Sequence, residues 1–181
     1  MKLHFSGWLG AILVAATVLV AVISLVWTPY DPTLAHPDVR LAGPSAEHLL
    51  GTDRFGRDTA SRIMAGAQIT VFVGLVAVGI AAVVGVPLGI LAGMRRGTWA
   101  DALVMRSADL LLAFPALLLA IIAGAVWGPS TLTAMIAIGI AGIPSFARVA
   151  RSGTLQVMTQ DYIAAARISK VPPVVIAWRH V

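Results

Sequence analysis

From Thr70 to Met94 the chain runs for 25 residues without a charged side chain. A hydrocarbon core near 30 Å thick is crossed by about 20 apolar residues in helical form. Inside it every backbone N–H and C=O has to be bonded within the segment or against protein. This stretch is therefore a membrane span, and three further runs repeat the pattern: Ser6–Trp27, Leu110–Trp127, and Thr131 to about Ala147. The spacing predicts an all-α, polytopic transmembrane helical bundle with four spans. Charged residues make up 12% of the chain, against about 25% in soluble domains, and 181 residues leave no room for a separate catalytic domain beside four spans.

Ser6–Trp27 follows a short start bearing Lys2. It exceeds the roughly 7–15 apolar residues of a signal-peptide core, and no small-residue cleavage site precedes the polar stretch after it, so it reads as a retained anchor. The formal net charge of +5 would raise nucleic acid as a partner in a soluble protein. Here the positive charges stand at the ends of apolar runs, where topology accounts for them. The sequence has no cysteine, which removes disulfides and thiolate metal sites.

Residues 1–69 read as an anchor helix and an extracytoplasmic loop, and residues 70–181 as a partial membrane core. Within the loop, HLLGTDRFGRD is rich in turn residues, and Asp53, Arg54, Arg57 and Asp58 are placed for local pairing. A short helix is expected from Asp58 to Ala67. In the second span Ala77, Ala81, Gly85, Gly89 and Gly93 recur every fourth residue, the small-residue stripe through which membrane helices approach closely. Pro87 is expected to kink that span.

The third helix is expected to begin near Thr98 or Trp99 and to run through Pro115 to Trp127. Asp109 at its membrane edge has two readings: an interfacial residue paired with Arg106 or Arg95, or a carboxylate facing a pore. The fourth span is expected to break at Pro144. The segment beyond it carries Arg148, Arg151, Asp161, Arg167, Lys170 and Arg179. A charge at the bilayer centre costs about 2.5–3.5 kcal/mol on insertion scales, so this segment is a polar platform at a membrane face. Lys2, the connection after the second span and this tail carry nine Lys or Arg against three acids; the other side carries four against five. The positive-inside rule then puts the amino terminus and the platform in the cytoplasm.

Several blocks follow one another in order: HLLGTDRFGRD with Gly51, Asp53, Gly56, Arg57 and Asp58; LGILAG; DALVMRSADLLLAFPALLLAI with Arg106, Asp109 and Pro115; GPS; the P-x-x-A-R-x-x-R of Pro144, Arg148 and Arg151; and then DYIAAARISK and WRH. In this order and spacing they resemble the permease subunit of ATP-binding-cassette importers of the dipeptide, oligopeptide and nickel group. The resemblance implies a type I importer permease fold in the cell (inner) membrane, with six spans expected where four are present and the chain stopping after the coupling loop. It implies partnership with ABC ATPase subunits, a homologous second permease subunit and an extracytoplasmic solute-binding protein, and transport of peptides or of nickel and related solutes. It makes Asp161, Tyr162, Ala164, Ala165, Ala166, Arg167 and Lys170 the helix that couples to the ATPase.

The residue types suit that role independently. Asp161 favours a helix start and Arg167 and Lys170 its end, while three alanines combine helix propensity with little bulk. A lipid-resting amphipathic helix would need more than Tyr162 and Ile163 on its apolar face. Two departures stand out: Ala164 replaces the glutamate of the family's E-A-A pattern, and Lys170 replaces the glycine that ends the helix. Lysine would spend about 1–2 kcal/mol in the left-handed conformation, so an altered turn and weakened docking are expected, with Val171 before Pro172 offering another stop.

No G-x-x-x-x-G-K-[ST] loop occurs, so ATP hydrolysis is assigned to a partner and no catalytic residue, cofactor or metal site is expected. His36 and His48 read as surface or structural residues ahead of nickel ligands. The alternative from another class is a non-transporting truncated membrane fragment or assembly partner.

Overall fold

The computed structural model describes residues 5–181, so Lys2 and His4 lie outside the described residues. These residues form seven α-helices: α1 Phe5–Ser24, α2 Thr59–Met94, α3 Trp99–Ala113, α4 Ala116–Trp127, α5 Thr131–Val157, α6 Asp161–Ile168 and α7 Pro173–His180. Among them no strand occurs; one isolated antiparallel bridge joins Thr52 and Asp58. The helices α1, α2 and α5 are each long and apolar enough to cross a membrane, and the bent pair α3 and α4 makes a fourth crossing if counted as one span. The fold is thus an all-α, multi-pass membrane bundle.

The chain falls into two compact units, Met1–Val73 and Gly74–Val181. In the first, α1 is apolar nearly all round and buries only Ala21, as expected of a helix surrounded by lipid. The following loop is ordered by its own hydrogen bonds. Tyr30 donates its backbone N–H to the Ser61 hydroxyl at 3.0 Å and its phenol to the Glu47 carbonyl at 2.8 Å. The Thr52 hydroxyl donates to the Val39 carbonyl and accepts the Ala42 N–H. Such bonds answer the requirement that backbone polar groups be satisfied outside regular structure.

In the second unit α2 and α5 run parallel in close contact. A Cβ added at Gly85 would stand 2.6 Å from the Ile143 carbonyl oxygen, one at Gly89 2.3 Å from that of Ala147, and one at Gly93 2.6 Å from the Thr154 Cβ. Ala77 and Ala81 are buried on the same stripe, with Ala81 Cβ 3.0 Å from where a Cβ on Gly142 would lie. Without a hydrophobic driving force between helices in lipid, such close van der Waals approach is what holds them together.

Three boundaries differ from the sequence expectation. The short helix expected at Asp58–Ala67 and the second span are one element, α2, which runs 36 residues from Thr59. At 1.5 Å per residue this is about 54 Å, so part of it stands outside a 30 Å core. The third helix breaks by 84° between α3 and α4. Phe114, preceding Pro115, takes φ −95° and ψ 127°, the extended geometry that a following proline imposes. Pro144, in contrast, does not end the fourth span: α5 continues through it to Val157, and Arg148 and Arg151 ride on that helix rather than on a separate tail.

Candidate functional site

The site is built where α5 ends. The helix stops at Val157, and Met158 closes it through its N–H to the Thr154 carbonyl at 2.9 Å. Asp161 then opens α6, and its carboxylate lies in the first turn while Arg167 lies in the last, each at the end of the helix dipole that favours its charge. Ile163 is fully buried and anchors α6. Around it the Tyr162 ring lies 5.8 Å from that of His180 on α7, Ile176 of α7 is buried, and the Arg167 guanidinium reaches the Met158 sulfur at 4.0 Å.

The opposite face is bare. Asp161, Ala164, Ala165 and Ile168, spaced as one helical side, are all exposed; Ile168 is 83% exposed. Two alanines between an acid and an isoleucine make a shallow, nearly flat surface onto which another protein's backbone can come close. Ala166 is half-buried and lies off that face.

The end of α6 corrects one expectation. Lys170 does adopt the left-handed conformation, at φ 55°. Its N–H donates to the Arg167 carbonyl at 3.0 Å and the Val171 N–H donates to the Ala166 carbonyl at 3.1 Å, the two bonds of a Schellman cap. The turn is therefore unaltered, and Pro172 caps α7 with Pro173 in its first turn, where a missing N–H costs nothing. The lysine holds a position that glycine would occupy without the steric penalty. Lys170→Gly is expected to stabilise α6 by about 1 kcal/mol, the gain on relieving left-handed strain less the entropy cost of glycine. Slower amide exchange at Val171 would register it, and unchanged or faster exchange would contradict it.

Upstream, two ion pairs join α5 to α3. Arg151 binds Asp101 in a fork, Nε to Oδ1 at 2.7 Å and Nη2 to Oδ2 at 2.9 Å, and the Gly97 N–H adds a third bond to Oδ2 at 3.0 Å. The Asp101 side chain is 9% exposed. Arg148 pairs with Asp109, so Asp109 is bound neither to Arg106 nor to Arg95, the partners expected from the sequence. Arg106 is exposed and pairs with no acid among the described residues. From the sequence Asp101 reads only as one charge of the polar connection after the second span, at the head of the DALVMRSAD block; it lies in the first turn of α3 and its partner is 50 residues away.

The loop motif forms a second, self-contained cluster in the first unit. Asp53 takes the Phe55 N–H at 2.8 Å, the Arg57 guanidinium at 2.9 Å and Arg62. Burial works against its charge, but the N–H groups of Arg57 and Phe55 and the Arg57 guanidinium outweigh it and hold the carboxyl down at about 2. Among the described residues Arg54 joins no acid; it stands with Arg57 over the Phe55 ring, at 4.9 and 4.8 Å from the centroid. Asp58 caps α2, accepting the Ser61 N–H at 2.7 Å and its hydroxyl at 2.8 Å, and meets His48 Nδ1 at 2.9 Å. There too burial opposes ionisation and is overcome, by Ser61 and His48, so the carboxyl lies below its usual range. His48 packs its ring against Tyr30, 4.8 Å between centroids. Among the described residues no three His, Cys, Asp or Glu side chains converge as a metal site would require.

Residues 85–181 match the family described as binding-protein-dependent transport system inner membrane component. Among curated proteins, the chain is 40% identical over 172 residues to the dipeptide transport system permease protein DppC of Alkalihalophilus pseudofirmus, covering 95% of this chain and 56% of that one. It is 40% identical over 158 residues to the probable D,D-dipeptide transport system permease protein DdpC of Escherichia coli, covering 87% and 53%. It is likewise 40% identical over 154 residues to the glutathione transport system permease protein GsiD of Pectobacterium atrosepticum, covering 84% and 51%. The chain spans about half the length of the relatives it matches.

Proposed function

Because the chain belongs to the family of binding-protein-dependent transport system inner membrane components, we propose that it serves as a membrane-spanning permease subunit of an ATP-binding-cassette importer. In this reading it lines part of the path for peptides and is coupled through α6 to a separate ATPase subunit. Peptide is the chosen solute because dipeptide, D,D-dipeptide and glutathione transport, the activities named for its relatives, share a peptide bond in the cargo. A second permease subunit and an external solute-binding protein complete the assembly. The charge asymmetry across the spans supports a cytoplasmic amino terminus and a cytoplasmic α6, with the Thr28–Asp58 loop facing out. Residues 1–69 then serve as anchor and external loop and residues 70–181 as the core that moves.

The observation that carries the reading is the bare face of α6, set three residues beyond the end of a spanning helix. When ATP draws two ATPase subunits together, a helix seated on one of them is carried along, and α5 moves as a rigid continuation. Asp161, Tyr162 and Arg167 orient α6; Ala164 and Ala165 admit the partner surface.

Ala165→Arg tests this. The side chain is exposed in the chain itself, so membrane insertion is expected to be unchanged. A buried, unpaired guanidinium in the interface is expected to cut co-purification of a peptide-importer ATPase subunit by on the order of 100-fold. Equal recovery of the ATPase with wild type and variant would overturn the assignment of this face.

A further inference from the structure

We propose that Asp101 and Arg151 are positioning residues for coupling: their ion pair is the tie through which movement of α6 reaches α3. The inference rests on the reading of α6 as the ATPase contact and goes beyond it by naming the route into the membrane helices. Three observations carry it. Arg151 lies two turns before the end of α5, so it moves with the helix that leads into α6. Its guanidinium grips Asp101 with two parallel bonds of 2.7 and 2.9 Å, and the same carboxylate holds the Gly97 N–H at 3.0 Å. One buried side chain thereby fastens the α2–α3 connection, the first turn of α3 and the last turns of α5.

The third observation is on the other side of α5. Thr154 is buried against Gly93 at the end of α2, and a Cβ at Gly93 would also stand 3.1 Å from the Arg151 carbonyl. The end of α5 is thus packed against α2 by van der Waals contact and tied to α3 by charge. Packing alone permits sliding, because small residues present a smooth stripe. A bidentate guanidinium–carboxylate pair fixes both distance and direction. A displacement of α5 is passed to α3 with its direction kept. Asp109 and Arg148 lie on the same two helices, but their side chains are 63% and 50% exposed, and exposed pairs constrain geometry weakly.

The test uses the importer reconstituted with its second membrane subunit, ATPases and solute-binding protein, and reads peptide transported per ATP hydrolysed beside ATPase co-purification. Asp101→Asn keeps an acceptor for the Gly97 N–H and removes the charge; Arg151→Gln removes its partner. Each is expected to lower the transport ratio at least about tenfold while ATPase recovery stays within about twofold of wild type. The double variant is expected to be no worse than either single, because residues acting as one unit are non-additive, and Asp109→Asn to change the ratio less than about twofold. A ratio unchanged in Asp101→Asn overturns the proposal. So does loss of ATPase recovery together with transport, which would make the pair a structural support only, and so does a multiplicative loss in the double variant. If wild type itself fails to recover the ATPase, the reading of α6 has failed and the inference falls with it, a result separable from the others.

Discussion

Replacing Gly89 by valine is expected to separate α2 from α5 and to be the most damaging single change in the membrane core. The Cβ alone would stand 2.3 Å from the Ala147 carbonyl oxygen and 2.7 Å from the Ala150 Cβ, distances that no rotamer choice relieves because one neighbour is backbone. Overpacking of a well-packed core costs about 1–3 kcal/mol, occasionally more, and this site belongs at the upper end. Gly89→Ala is expected to cost less, since alanine recovers up to about 1 kcal/mol of helix propensity. Gly79, with nothing within 4 Å of its hypothetical Cβ, is the internal comparison. Unfolding of the detergent-solubilised chain by increasing fractions of a denaturing detergent should place Gly89→Val well below wild type and Gly79→Val close to it. Equal midpoints for the two variants would remove the close approach as the cause.

Gly56→Ala is expected to release the loop of the first unit. Gly56 sits at φ 79°, and a Cβ there would be 1.8 Å from the His36 carbonyl oxygen. Left-handed strain of about 1–2 kcal/mol adds to an overpacking cost of about 1–3 kcal/mol. A total near 3 kcal/mol corresponds to on the order of a 100-fold rise in the open population. The Gly56 N–H also closes the turn to the Asp53 carbonyl at 2.9 Å, so the cluster of Asp53, Arg57 and Arg62 would loosen with it. Proteolysis of the loop in membrane vesicles should accelerate by about that factor. Cleavage at the wild-type rate would show that the segment around Gly56 yields without cost.

Much of the architecture was legible because membrane insertion makes local sequence decisive. An uncharged run of sufficient length has few alternatives to a spanning helix, and spans were placed on that ground alone. Gly85, Gly89 and Gly93 announced a close neighbour by their spacing, though the spacing named no partner. The prolines show where local reading stops. Pro115 and Pro144 each remove one hydrogen bond from a helix, yet one coincides with an 84° break and the other lies inside a continuous helix. Pro144 is buried, and with Leu103 and Ala108 of α3 it lines a cavity of about 210 Å³. Pro115 and its flanking residues are exposed. Burial, which one sequence does not display, decided between them.

The same limit explains the charges. Asp101 and Asp109 are eight residues apart on α3 and meet arginines three residues apart on α5, a pairing set by how antiparallel helices cross and by no local pattern. Lys170 gave the reverse case. Its sequence signal argued against the left-handed cap, and the cap forms nonetheless because two backbone bonds and the prolines behind it leave the chain no cheaper exit from α6.

The bareness of α1 bears on how much each part of the chain has to say. Of its twenty residues only Ala21 is buried, so within this chain the helix is specified by length and oiliness, and nearly any order of Leu, Ile, Val and Ala would serve. The glycines of the α2 stripe, Gly85, Gly89 and Gly93, tolerate no such shuffling, since one methyl group added at any of them would run into α5. Drift among homologous genes should therefore run fast along α1 and nearly stop on one side of α2. Two apolar stretches of similar composition would then keep time at different rates.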